Sequence, residues 1–198
     1  MIYEEDIIKL KYYLSEYTKH FDTEDIAVFI YSYLGHTDID SSLKRSMRKY
    51  DVLLEEVNAI VKKFFSEAKG EPKRYITAND LKVFIALSAL ENGIADLLKS
   101  GLDSKTVTHI VSVYLRTGNF NVIPDPLVKE SFSNVGVQLM KEAMLLNKCN
   151  RVSKVVAMVE ERLNPKSKEE PIVTANNGVD PEYSEKIFKA EEEQKIKK

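Results

Sequence analysis

A single cysteine, Cys149, stands in the 198 residues, so no intrachain disulfide can form and the chain reads as cytosolic. Seven glycines and six prolines are too few turn formers for a many-stranded sandwich or barrel. There is no secretory h-region and no apolar run long enough to span a bilayer, so no membrane contact is expected. Excess charge of one sign is missing too. With 29 basic and 31 acidic residues the formal charge is −2, and attraction to a polyanion would have to come from a local patch. Glycine-rich phosphate loops of the GxxxxGK or GxGxxG kind are absent, which speaks against nucleotide-driven chemistry. The three histidines, His20, His36 and His109, fall on different expected elements without a nucleophile at useful spacing. No enzyme, cofactor or metal is therefore expected.

What is present is helical periodicity. A content of 43% hydrophobic and 30% charged residues suits one globular domain. Ile7, Leu10, Leu14, Tyr17 and Phe21 recur at steps of three and four and define a first amphipathic helix. Asp22 is suited to cap a second, largely buried helix that ends before Gly35. From Ser41 to Ala68 neither Gly nor Pro interrupts, and Leu43, Met47, Tyr50, Leu54, Val57, Val61, Phe64 and Ala68 alternate four and three, as on a heptad seam. One long helix is expected there, lying on its own domain or pairing with a coiled-coil partner such as a second copy.

Thr77 opens a further helix whose stretch Val83 to Leu90 is apolar nearly all round, the mark of a central helix. Ser104 to Thr117 follows, with Val107, Ile110, Val111, Tyr114 and Leu115 inward. The connector with Val122, Ile123 and Pro124 reads as extended, and Asp125–Pro126 opens a helix running towards Leu146 through Gly136. Asn150 is placed to cap a last helix that Pro165 ends. The expected fold is all-α: an irregular bundle of about six helices over 1–164, one of them long and heptad-bearing, then a charged C-terminal extension over 165–198. Within that extension Tyr183, Ile187 and Phe188 could form one apolar face of a short helix, a candidate partner-binding arm.

Charge is uneven along the chain. Residues 1–40 carry nine acids against three lysines, a net of −6, whereas 41–75 carry nine bases against five acids, a net of +4. Lys44, Arg45, Arg48 and Lys49 crowd about a turn and a half, a candidate nucleic-acid contact or a solvated face. His36, Thr37, Asp38, Ile39 and Asp40 form a loop with hard and borderline ligand types, although Asp38 and Asp40 equally suit a helix cap.

Ile94 to Val111 resembles a helix-turn-helix, with Gly101 in the turn, Leu102 as plug, Asp103 as cap and Thr106-Val107-Thr108 opening the second helix. The resemblance implies a DNA-reading corner over residues 94–117, with Lys105 and His109 among its outward side chains. Leu97 and Ser100 depart from the pattern where a small and an apolar residue are usual. The leading expectation is a non-enzymatic interaction or assembly protein that binds protein partners or itself through the long helix and the C-terminal arm. A DNA-binding or transcription-associated factor is the alternative. Usage of Lys, Asn, Ile and Tyr fits an AT-rich genome such as that of a phage or a low-GC bacterium.

Overall fold

The structure, a computed structural model, describes residues 3–48, 51–66 and 77–165. They form nine α-helices and no strand: α1 Glu4–Tyr17, α2 Thr23–Tyr33, α3 Ser41–Met47, α4 Asp51–Ser66, α5 Ala78–Lys99, α6 Ser104–Thr117, α7 Pro126–Val135, α8 Val137–Leu146 and α9 Val152–Leu163. A short 3₁₀ turn, Phe120–Val122, joins α6 to α7. None of the described helices is long and apolar enough to cross a membrane.

The all-α reading stands, but the helix count and the heptad helix do not. The expected continuous helix from Ser41 is two helices, because α3 packs against α2 while α4 packs against both α1 and α2. Each piece buries its own stripe, Met47 on one and Leu54, Val57 and Val61 on the other. These positions are filled by neighbours in the same bundle, and no coiled-coil seam is presented among the described residues. Gly136 likewise splits the expected helix between Asp125 and Leu146. Its φ of +82° is left-handed, a region open to glycine, so the chain breaks there and restarts as α8. Of the stretch expected to be extended, Val122 closes the 3₁₀ turn, whereas Ile123 is extended and buried in the core.

Local signals set most helix starts. Asp22, Asp103 and Asp125 each accept backbone N–H bonds as N-caps, and Thr77 closes a reciprocal capping box with Asp80. Gly118, at φ +70°, ends α6. Helix α5 is the axis of the bundle, packed against α1, α2, α6, α7, α8 and α9. Every residue from Ile85 to Glu91 is buried, as a helix surrounded on all sides requires. Its two halves serve different cores. Leu81 and Ile85 join Leu10, Leu14, Phe29, Ile30 and Leu54 in an N-terminal cluster. Ala86 to Leu97 join Val111, Tyr114, Phe132, Met140 and Val156 in a C-terminal one.

Candidate functional site

The buried polar side chains of the described residues are Ser15, Thr18, Thr23, Ser88, Glu91 and Ser131. Most of them gather where α1 and α2 meet α7 and α9 beside α5. The Asn134 amide donates to the Thr18 carbonyl, and Thr23 Oγ1 donates to the Asn134 carbonyl at 3.2 Å. At the centre Glu91, 2% exposed, accepts from Lys11 Nζ at 2.6 Å and Arg162 Nη2 at 2.9 Å, both on Oε2. The Asn92 side chain donates to the Lys11 carbonyl. One carboxylate on the central helix thus ties the first helix to the last turn of α9.

In this cluster one buried carboxylate is compensated by two cations from distant parts of the chain. Nearby, burial pushes the Asp96 carboxyl above its ordinary range, with Lys19 and Lys99 opposing the shift. Tyr114 is buried and its hydroxyl donates to the Phe132 carbonyl at 3.0 Å; burial raises its pKa to about 12. These groups join elements of the fold together.

The residues expected to act are placed as follows. Lys44, Arg45 and Arg48 are exposed on α3 and make no ion pair among the described residues. Lys49 lies outside the described residues, as do Tyr183, Ile187 and Phe188. Lys105 and His109 are exposed on α6, with Ser112 and Arg116 continuing the same outward stripe. Helix α3 packs against α2 whereas α6 packs against α5, α8 and α9, so the two basic groups belong to different sides of the division between the cores. The α5–α6 corner exists and has Gly101 at φ +94°, but its second helix is also held against α9 as an ordinary bundle member. A shallow groove beside it is lined by Leu98, Leu102, Lys105, Glu160 and Leu163.

In the loop before α3, Asp40 is an N-cap that accepts from Ser42 N at 2.6 Å, and His36 stacks on Tyr31 with ring centroids 4.6 Å apart. No metal-competent cluster of His, Cys, Asp and Glu occurs among the described residues. Cys149 is buried, with Sγ 3.8 Å from Met158 Sδ.

One surface escaped the sequence reading. Leu145 and Leu146, at the C-terminal end of α8, are 67% and 64% exposed, the most exposed large apolar side chains among the described residues. A leucine pair at the end of a helical pattern gives no hint of exposure, since the same pair could as well face inward. Comparison with family models, with curated proteins and with solved structures finds no match to this chain.

Proposed function

We propose that this protein is a non-catalytic helical interaction module that engages a protein partner. The observation that carries the reading is the exposure of Leu145 and Leu146 on a domain that buries its other leucine-rich stripes. Leaving two adjacent leucines in water forgoes roughly 1.5–3 kcal/mol each, a cost that a partner surface removes. The non-catalytic part rests on the sequence, which has no nucleophile at useful spacing from a histidine and no glycine-rich phosphate loop. The C-terminal arm, with Tyr183, Ile187 and Phe188, is the second contact element and rests on its sequence pattern alone.

The test is recovery of partners from the native source by the full chain and by a chain ending after Pro165, each with and without nuclease. Recovery of a defined protein that nuclease leaves intact, and that weakens in the shortened chain, is expected. Recovery that nuclease abolishes would replace this reading with nucleic-acid binding through the α3 and α6 cations.

A further inference from the structure

The leucine pair does not stand alone. Lys141 lies one helical turn before Leu145, and Lys148, Arg151 and Lys154 follow within nine residues of it, all exposed and without an ion pair among the described residues. Glu142, a turn before Leu146, is the single acid from 141 to 154, which leaves a net charge of +3. The connection is compact: Lys148 N donates to the Leu145 carbonyl at 3.0 Å and Cys149 N to the Met144 carbonyl at 2.9 Å. Cys149 in turn touches the half-exposed Met158. The chain therefore turns sharply here, with cations on both sides of the leucines.

Helix stability accounts for Lys148, which follows the C-terminus of α8 where positive charge is favoured, but not for the cations at the start of α9. The N-cap of α9 is Arg151, not Asn150, and its side chain makes no capping bond; Lys154 occupies the first turn, where no acid stands. A helix N-terminus favours negative charge and a short oxygen-bearing cap, and Arg with Lys supplies the opposite on both counts. Lys148 holds a left-handed backbone, φ +58°, that a glycine or asparagine would adopt more readily. Exposed leucines, a wrong-sign helix start and a strained lysine coincide within ten residues. Local rules broken together mark a surface kept for something other than folding.

We infer that the end of α8 and the start of α9 form a docking knob for a protein partner whose contact face is apolar and rimmed by carboxylates. The inference deepens the interaction reading and rests on it. Leu145 and Leu146 enter the partner's apolar face, and Lys141, Lys148, Arg151 and Lys154 meet its acidic rim. A bilayer fits less well. Two leucines bury too little area for stable anchoring, and Glu142 would be driven against anionic headgroups. A protein interface needs only a few buried anchors within a charged rim.

The experiment uses the full chain and three probes: a synthetic amphipathic helical peptide with a leucine face flanked by glutamates, the same peptide with glutamines, and vesicles of phosphatidylserine and phosphatidylcholine. Calorimetry should show the acidic peptide binding with affinity that falls as salt rises. The double variant Leu145→Ser/Leu146→Ser should weaken it by about tenfold or more, and Lys148→Gln/Arg151→Gln by about tenfold, with the domain still folded in both because all four side chains are exposed. Equal binding of acidic and neutral peptides would overturn the charge assignment, and leucine-dependent binding to vesicles alone would replace the protein partner with a lipid surface. No binding of the acidic peptide, beside a native partner recovered equally well by the Leu145→Ser/Leu146→Ser chain, would remove this surface while leaving the interaction reading in place.

Discussion

The two cores on either side of the α5 midpoint are built from different material. The N-terminal one is made of large side chains, among them Leu10, Leu14, Tyr17, Phe29, Ile30 and Leu54, and is tied at its rim by ion pairs such as Lys63–Asp6 and Lys82–Glu24. The C-terminal one mixes small residues with large: Ala86, Ala89, Gly93 and Ala143 let Phe132, Met140 and Tyr114 approach the axis closely. Between them lies the polar seam of Ser15, Thr18, Glu91, Ser131 and Asn134. An apolar contact tolerates sliding, whereas a buried hydrogen bond or ion pair is satisfied in one register only. The large-residue core supplies burial and the small-residue core supplies closeness. The seam then fixes how the two meet.

Breaking the seam at Glu91 should have the largest effect. Glu91→Ala leaves Lys11 and Arg162 facing each other beside the core without their shared counter-charge, and a loss of about 3–5 kcal/mol is expected in urea titration. The comparison is sharpened by where the loss falls. Hydrogen exchange should accelerate in α1 and at the end of α9 more than in α8, because Glu91 bonds the first two and not the third. Uniform acceleration throughout the bundle, or a loss below about 1 kcal/mol, would show that the seam carries no register of its own.

Closeness in the C-terminal core can be probed at Gly93. A Cβ there would lie 2.4 Å from Phe132 Cε1 and 3.2 Å from Val128 Cγ1. Ordinarily Gly→Ala inside a helix gains up to about 1 kcal/mol. Here Gly93→Ala should instead cost about 1–3 kcal/mol, and adding Phe132→Leu should recover part of that by vacating the space. Stabilisation by the single substitution would mean that α5 and α7 are not in close contact.

The all-α class, most caps and the central place of α5 were legible in the sequence because they depend on local chemistry: Asp22, Asp103 and Asp125 before apolar periods, Thr77 with Asp80, and an apolar run with no polar face. The division into α3 and α4 was not, since the apolar steps of three and four continue from one to the other and only the choice of neighbours separates them. Gly136 offered a usable signal that was read as tolerated. Glu91 was missed for a different reason. A lone glutamate in an apolar helix announces a buried partner, but its cations stand 80 and 71 residues away in the chain and no spacing links them. Of the candidate surface nothing was singled out from the sequence, since scattered cations beside a helix start are ordinary. The exposure of Leu145 and Leu146 depends on how α8 packs, which periodicity over ten residues leaves open.

The smallest expected effect lies at Asp96, on α5 close to where α1 and α7 come together. Burial raises its carboxyl above the ordinary aspartate value of 3.8, and Glu16 and Asp125 push the same way while Lys19 and Lys99 pull it down. The folded chain therefore binds this proton more tightly than the unfolded chain does. The sign follows: the contribution is most favourable below the unfolded pKa and is lost as pH rises through the raised folded value, the reverse of a salt-bridged carboxylate. Asp96→Asn removes the ionisation while keeping the shape, so the variant should be slightly more stable than the parent near neutral pH and nearly equal to it in mild acid. Melting curves from just above pH 4 to pH 7 read the difference directly. A gap that widens with rising pH supports a carboxylate strained by the meeting of the two halves. A variant less stable at neutral pH would mean instead that Lys19 and Lys99 hold Asp96 as a working ion pair, making it one more tie across the seam rather than a cost of forming it.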